Sequence, residues 1–257
     1  MRIARFTYED TPMFGVVHGS DDDPQIAVIK GDPLYQGIET TGQTVMLKDV
    51  RLLAPVIPRS KVVGVGKNYP AHAQEQGCEA PKTPLIFFKP NTSVIGNGDP
   101  IRYPSYSKQV SYEGELAIVI SRMCKDVPKE RVKDVIFGFT CANDLTARDV
   151  MDCDVQWTRA KGFDGACPLG PWIETELEDP DNVEIHTYVD GTLVQEGKSK
   201  EMVHNIAEIV SFVTSVCTLL PGDVIITGSP AGIGKLESGQ EVEVEIEGIG
   251  VLRNPVM

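Results

Sequence analysis

The chain lacks the features that tie a protein to a membrane or to nucleic acid. No apolar run approaches the roughly 18 residues of a membrane-spanning helix, and the N-terminal stretch MRIARFTYED lacks the apolar core of a signal peptide. Basic residues are scarce, since 24 Lys and Arg stand against 37 Asp and Glu, and the formal net charge is −13. Because phosphate binding needs a basic face, neither nucleic acid nor an anionic membrane is expected as a partner.

Paired cysteines are also missing. The six cysteines, at positions 78, 124, 141, 153, 167 and 217, include no C-x-x-C pair. Without an export signal, we expect reduced thiols, a cytoplasmic location and no cysteine zinc site. The 257 residues, of which 41% are hydrophobic, suffice for one large domain or for a large domain with a small one.

Four familiar site patterns are absent or incomplete. In GVGKNY, Tyr69 stands where a dinucleotide-binding fingerprint needs its third glycine, and in GSPAGIGK, Leu236 follows the lysine where a phosphate loop needs Ser or Thr. No G-x-S-x-G elbow is present. A glycosidase pair would flank a bond from opposite sides, whereas Glu113 and Glu115 are expected to project in parallel from one strand.

What is present is a succession of short strands. RIARFTY, MFGVVHG and QIAVIKG precede a linker with two prolines, LKDVRLLAPVIPRSK, so we predict a small N-terminal β domain over residues 1–55 and a second domain over residues 56–257. Strands and helices do not alternate regularly in the second domain. This argues against a Rossmann sheet or a (β/α)8 barrel and favours a mixed, β-rich fold.

A few helices and one hairpin are also predicted. Pro70 and Pro128 suit the first turns of two short helices, and VHNIAEIVSFVTSVCTLL has helical spacing up to a stop at Pro221-Gly222. Asp190-Gly191 predicts a hairpin turn, and QEVEVEIEGIGVL alternates like one half-exposed strand.

Three acids lie at predicted strand ends. In SYEGELAIVI the strand period of two places Glu113 and Glu115 on one face, and Asp144 ends the strand VIFGFTCAND. Three converging carboxylates form an all-oxygen site that suits Mg²⁺ or Mn²⁺, with Ca²⁺ as a further possibility. The alternatives are a solvated strand end for the glutamates and a helix N-cap for Asp144.

Two kinds of group could complete such a site. Lys161 or Arg148 could offset its negative charge towards an anionic substrate, although lone basic residues are commonly solvated. His72 and Glu75 share one helix face, so they form either a general-base dyad or an exposed pair.

In combination, six ordered segments resemble the fumarylacetoacetate hydrolase family, and the match runs from about Val62 to the C-terminus. They are GVGKNYPAHAQEQ, PLIFFKP, YEGELAIVI, CANDLTARD, RAKGFDGACPLGP and LLPGDVIITGSPAGIG. The resemblance implies a mixed β-roll, a homodimer and a small N-terminal β domain.

The resemblance also implies roles for individual residues. Metal ligands would be Glu113, Glu115 and Asp144. Lys161 would be the active-site lysine. His72 and Glu75 would form a dyad on a mobile lid, and Thr227 and Arg148 would contact substrate.

Such a site is expected to act on a short anionic 2-oxo acid. Metal and Lys161 would stabilise the enolate that forms when the bond beyond C3 breaks. We therefore expect C–C cleavage, as in acylpyruvate hydrolysis or oxaloacetate decarboxylation. The alternatives are isomerisation or tautomerisation of a hydroxydienoate or enol 2-oxo acid in aromatic catabolism and, from another class, a non-catalytic metal-stabilised domain that binds small acids.

Overall fold

A computed structural model describes residues 1–20 and 23–257 and confirms the predicted β-rich mixed fold. The N-terminal strands are β1 (Arg2–Tyr8), β2 (Thr11–His18), β3 (Gln25–Ile29), β4 (Thr40–Met46) and β5 (Arg51–Leu52). The later strands are β6 (Val62–Gly66), β7 (Leu85–Lys89), β8 (Val94–Ile95), β9 (Val110–Tyr112), β10 (Gly114–Ile120), β11 (Ile136–Asn143), β12 (Thr146–Ala147), β13 (Cys167–Glu174), β14 (Glu184–Val189), β15 (Thr192–Lys198), β16 (Val224–Ile226), β17 (Gly234–Lys235), β18 (Glu241–Ile246) and β19 (Gly250–Pro255).

Helices are short apart from one. They are α1 (Pro33–Gln36), α2 (Pro70–Glu75), α3 (Arg148–Met151), α4 (Thr158–Lys161) and α5 (Ile206–Val216). Short 3-10 turns occupy Leu47–Asp49, Asn91–Ser93, Lys129–Val135, Pro180–Asn182 and Ser199–Glu201. Within the described residues, no helix is long and apolar enough to cross a membrane.

Twelve strands of the described chain form one sheet. Its main order is β4-β3-β2-β1-β13-β11-β10-β16-β6-β7, with β5 on β1 and β8 on β13. Smaller sheets have the orders β12-β9-β17 and β15-β14-β18-β19. The N-terminal strands join the main sheet where β1 pairs with β13 in the register Arg2↔Glu174 and Ile3↔Ile173. Independent folding of residues 1–55 therefore stays a prediction.

The strand β10 lies in the interior of the main sheet. It runs antiparallel to both β11 and β16, and every residue of it is buried. Leu116, Ile118 and Ile120 pack into one core cluster with the apolar face of α5, whereas Ala117 and Val119 pack into another on the opposite face. The sequence predicted this burial on both sides.

Strand directions bring four chain segments to one edge of this sheet. Because β10 is antiparallel to β11 and β16, its start lies beside the ends of those two strands. The strand β6 runs parallel to β16, so its end reaches the same edge and leads into α2. Polar residues at these strand ends therefore converge.

Three of the predicted secondary-structure elements differ from those in the structure. SYEGELAIVI is not one strand, because β9 and β10 are separated at Glu113. QEVEVEIEGIGVL forms the two antiparallel strands β18 and β19, which turn at Glu247–Ile249. The helix predicted after Pro128 is a 3-10 turn over Lys129–Val135.

The longest helix ends before its predicted stop. α5 finishes at Val216 instead of continuing to Pro221-Gly222. Leu219 instead exchanges two backbone hydrogen bonds of 3.0 Å with Cys124, which draws the chain into an extended bridge. A non-local contact therefore overrides the local helical pattern.

The predicted hairpin at Asp190-Gly191 is confirmed. It joins β14 to β15, and both turn residues have positive φ, +49° for Asp190 and +74° for Gly191. Positive φ at both central residues is the signature of the type I′ turn, whose twist matches that of the flanking strands.

Asp223 fastens the linker to the sheet just before β16. Its buried carboxylate accepts hydrogen bonds from Ser60 N–H at 3.0 Å, Lys61 Nζ at 2.9 Å and Leu220 N–H at 2.9 Å. Burial alone would raise the pKa of this carboxyl, but the donors from Leu220, Lys61 and Ser60 outweigh burial and hold the pKa below its usual value. The ionised carboxylate therefore stabilises the fold.

Asp223→Asn is expected to lower the free energy of unfolding by about 1–3 kcal/mol at neutral pH, because buried donors lose a charged acceptor. Since the folded pKa lies below the unfolded value of 3.8, this contribution is present above 3.8 and is lost as the pH falls through the folded pKa. Urea unfolding of both proteins at neutral pH and below pH 3.8 measures the difference, with the exposed Asp134→Asn as control. A loss that is equal at every pH would contradict this account.

Candidate active site

Three acids converge at the shared edge of the main sheet. Glu113 and Glu115 flank the first residue of β10, and Asp144 directly follows β11. The register Gly114↔Asn143 sets the two segments side by side, so that carboxylate oxygens of all three acids lie within 4.8 Å of one another. All three residues are buried, with exposed fractions of 5%, 2% and 1%. A solvated strand end is therefore the wrong interpretation.

Asp144 does not cap a helix. The residue at the N-cap of α3 is Ala147, and no side chain accepts a capping hydrogen bond there. The Asp144 carboxylate instead forms ion pairs with Lys89 and Lys161. The capping alternative is thus wrong, and Asp144 belongs to the acidic cluster.

Two predicted cations reach this cluster. Lys161 is the last residue of α4, is only 3% exposed, and donates from Nζ to Glu113 Oε2 at 3.1 Å and to Asp144. Arg148 opens α3, pairs with Glu113 and donates from Nε to Ser111 Oγ at 3.0 Å. Neither residue is a solvated surface cation.

Lys89 is a third cation that the sequence did not single out. It ends β7, is fully buried, and pairs with Oδ1 of Asp144, whereas Lys161 pairs with Oδ2 of the same carboxylate. The available signal was a lysine between an apolar strand and Pro90, in IFFKP. A buried lysine needs a partner, but the sequence does not show which acid provides it.

The surroundings shift the pKa values of Glu113 and Glu115 in opposite directions. Burial would raise the pKa of Glu113, but the nearby Lys161 and Arg148 charges outweigh burial and lower it. Burial raises the pKa of Glu115 well above its usual value, and the neighbouring Asp144 and Glu113 charges add to the effect. Among the described residues, Glu115 has no ion-pair partner within 4.0 Å and accepts a hydrogen bond from Gly228 N–H at 2.7 Å.

This cluster fits a divalent cation. A buried carboxylate beside two others, without an ion-pair partner of its own, is relieved when a cation binds. The donors are all carboxylate oxygens, which suit hard ions such as Mg²⁺ or Mn²⁺, and also Ca²⁺.

The helix α2 places the predicted dyad over the same edge. His72 is 3% exposed, so the alternative of a solvent-exposed histidine is wrong. Its Nδ1 lies 3.7 Å from Glu75 Oε2, and that oxygen accepts a hydrogen bond from Gly232 N–H at 3.1 Å. Burial lowers the pKa of His72 and, together with the Arg148 and Lys161 charges, outweighs the opposing Glu113 charge, so the imidazole is neutral at physiological pH. A neutral imidazole can accept a proton.

Thr227 directly follows β16 and is fully buried. Its hydroxyl donates to the Leu116 carbonyl at 2.9 Å, and its own carbonyl accepts from Asn68 Nδ2 at 2.8 Å. These bonds hold the strand end that presents Gly228 to Glu115. A direct contact between Thr227 and substrate stays a prediction.

Two family models match the chain. The model described as fumarylacetoacetate (FAA) hydrolase C-terminal matches residues 61–257, and the model described as Rv2993c-like, N-terminal matches residues 1–55. Protein Rv2993c of Mycobacterium tuberculosis is 47% identical across 100% of this chain and 98% of its own length. The mitochondrial oxaloacetate tautomerase Fahd2a of Rattus norvegicus is 40% identical across 81% of this chain and 70% of its own length.

Solved structures with the same fold are also similar in sequence. The 5-carboxymethyl-2-hydroxymuconate delta-isomerase of Mycobacterium smegmatis is 46% identical, covers 100% of this chain and 99% of its own, and superposes with a TM-score of 0.93. The maleylpyruvate hydrolase of Sphingobium sp. SYK-6, in complex with manganese (II) ion and pyruvate, is 29% identical with the same coverage and a TM-score of 0.81.

Proposed function

We propose an activity from one established premise: this chain belongs to the fumarylacetoacetate hydrolase family. The proposed activity is proton transfer at C3 of a short 2-oxo acid, which interconverts keto and enol forms or shifts a double bond. The observation that carries the proposal is the buried cluster of Glu113, Glu115 and Asp144, with Lys161 and the neutral His72 at the same sheet edge. This arrangement suits an acid whose enolate must be stabilised and whose C3 proton must be moved.

The names of similar proteins support both reactions: some are isomerases or tautomerases, and others are hydrolases, among them a fumarylacetoacetate hydrolase of Exiguobacterium antarcticum that is 37% identical over the whole chain. An isomerase is 46% identical over the whole chain and an oxaloacetate tautomerase is 40% identical over most of it, whereas the maleylpyruvate hydrolase is 29% identical. The C–C cleavage expected from the sequence therefore stays as the second candidate.

Glu113, Glu115 and Asp144 would hold a divalent ion, Mg²⁺ or Mn²⁺ by their donor chemistry. When bound, the ion would supply a Lewis acid for the oxygens of the 2-oxo acid. Lys161 keeps a positive charge in a cluster of three carboxylates, and this charge would attract the substrate carboxylate and the developing enolate oxygen.

The His72 imidazole would accept the proton from C3 of the substrate and then donate it to a different atom of the same substrate. Glu75 lies 3.7 Å from Nδ1 and favours the protonated imidazole that forms in between. Its hydrogen bond with Gly232 fixes α2 over the site, so the same carboxylate positions the helix and the base. A domain that only bound small acids would need no such base.

Hydrolytic C–C cleavage is supported by the same dyad. A neutral imidazole held beside a carboxylate, as His72 is beside Glu75, could activate water towards an acylpyruvate carbonyl. Decarboxylation of oxaloacetate would need the stabilised enolate but no attacking water. The homodimer, the cytoplasmic location and the role in aromatic catabolism stay predictions.

A substrate panel separates these reactions. With Mg²⁺ present, we expect the enol form of oxaloacetate or of a hydroxydienoate to lose its absorbance faster than CO₂ or pyruvate appears. The measurement follows absorbance and both products in one reaction, with heat-inactivated protein as control. Pyruvate release from an acylpyruvate that keeps pace with loss of its absorbance would support hydrolysis instead, and no turnover of any 2-oxo acid would overturn both proposals.

A further inference from the structure

An aromatic ring lies beside the buried ammonium group of Lys161. The Phe87 ring centroid is 5.0 Å from Lys161 Nζ. Phe87 lies on β7 two residues before Lys89, so both side chains project from the same face of that strand. An ammonium within about 6 Å of a ring centroid is attracted by the negative face of the ring, most strongly where water is excluded.

The ring completes the surroundings of this ammonium. A lysine ammonium has three donors, and Lys161 Nζ uses two of them on Glu113 and Asp144. Within residues 1–20 and 23–257, no third acceptor takes a hydrogen bond from Nζ. Both acceptors are proposed metal ligands. The Phe87 ring is not a metal ligand, so its attraction for the Lys161 ammonium does not compete with metal binding.

Two neighbours keep the ring in this place. Gly64 pairs with Phe87 across β6 and β7, and a Cβ on Gly64 would lie 2.1 Å from Cζ of the ring, so the bare glycine lets the tip of the ring approach β6 closely. Trp157, just before α4, meets the ring edge-on with centroids 5.7 Å apart and an interplanar angle of 69°. Backbone on one side and an indole on another restrict the ring to few orientations.

We propose that Phe87 is a positioning residue that holds the Lys161 ammonium towards the substrate through its ring face, with Gly64 and Trp157 fixing the ring. The inference rests on the proposed function for its catalytic consequence, but the ring–ammonium attraction itself does not.

A truncation gives the first test. Phe87→Leu removes the ring while keeping an apolar side chain, and it is expected to lower kcat on a 2-oxo acid about 10-fold. Phe88→Leu is the matched control, because it makes the same change on the next residue, whose side chain is 50% exposed and projects from the other face of β7. The control is expected to keep the native kcat.

A fluorinated ring separates the electrostatic role from packing. Phenylalanine with one or two meta fluorines keeps nearly the same shape but has a weaker negative face. At position 87, kcat is expected to fall with each fluorine, whereas the same substitutions at position 88 leave it unchanged. Native kcat with both fluorinated rings at position 87 would overturn the proposal, even if Phe87→Leu is inactive.

Urea unfolding of metal-free protein tests the attraction without any turnover. The unfolding midpoint is expected to fall with fluorination at position 87 in the native background and to stay constant in a Lys161→Met background. If the native protein turns over no 2-oxo acid but this coupling is present, the proposed function fails and the ring–ammonium contact stands. Equal fluorine effects in both backgrounds would overturn the contact, and the kcat series decides the matter if Lys161→Met does not fold.

Discussion

Removal of divalent metal is expected to abolish turnover, and added Mg²⁺ or Mn²⁺ is expected to restore it. Three buried carboxylates share one sheet edge, and Glu115 among them has no ion-pair partner within 4.0 Å in the described structure. An oxygen-only site of this kind binds hard divalent ions, which would be the largest charges in it. The measurement is the rate on a 2-oxo acid after chelation and gel filtration, before and after each ion is added. Full activity in thoroughly metal-stripped protein would refute the metal requirement.

The Glu115→Gln variant tests the metal site by measurements that do not depend on activity. The variant is expected to bind Mn²⁺ more than about 100-fold more weakly, since even outer partners of a metal site typically contribute 10- to 100-fold. Metal-free Glu115→Gln should unfold at higher urea than the native protein, because a buried carboxylate next to two others is replaced by a neutral amide that can still accept from Gly228 N–H. Mn²⁺ titration and urea unfolding measure the two effects.

These two effects have opposite signs, which makes the result specific. A glutamate with a purely structural role would lose stability on substitution without any change in Mn²⁺ affinity. Glu245→Gln is the matched control, because Glu245 lies on β18, outside the acidic cluster. That variant is expected to match the native protein in Mn²⁺ affinity.

Loss of the His72 imidazole is expected to lower the rate of proton transfer at C3 by about 10²- to 10⁴-fold, the usual contribution of a general base. His72→Ala should reduce acylpyruvate hydrolysis to a similar degree, because an attacking water also needs a base. The rate of oxaloacetate decarboxylation should fall less, since that reaction needs neither removal of a C3 proton nor an attacking water. Lys161→Met should damage all three reactions, because each develops negative charge on the substrate. The measurement is kcat on each substrate with metal saturating.

His186→Ala is a suitable control for this prediction. His186 lies on β14, in the small sheet with β15, β18 and β19, and belongs neither to the acidic cluster nor to α2. Its substitution should leave all three rates unchanged. If His72→Ala lowered hydrolysis and decarboxylation equally, while Lys161→Met spared one of them, His72 would hold the substrate or latch α2 instead of moving protons.

The sequence determined those parts of the protein that depend on local pattern. The strand period placed Glu113 and Glu115 on one side, and the apolar run after them predicted the buried β10. Asp190-Gly191 fixed a hairpin because its residue types tolerate positive φ. The ordered motifs together pointed to the family that the comparisons show.

Only the tertiary structure decided which strand ends meet. The register Gly114↔Asn143 brought Asp144 to the glutamates and removed the capping alternative, and the pairing of Cys124 with Leu219 ended α5 early. Lys89 and Phe87 acquired their partners, Asp144 and Lys161, in the same way. The physical reason is that strand pairing and side-chain burial are set by contacts between segments far apart in the chain. Local propensity carries no information about the partner that each segment will meet.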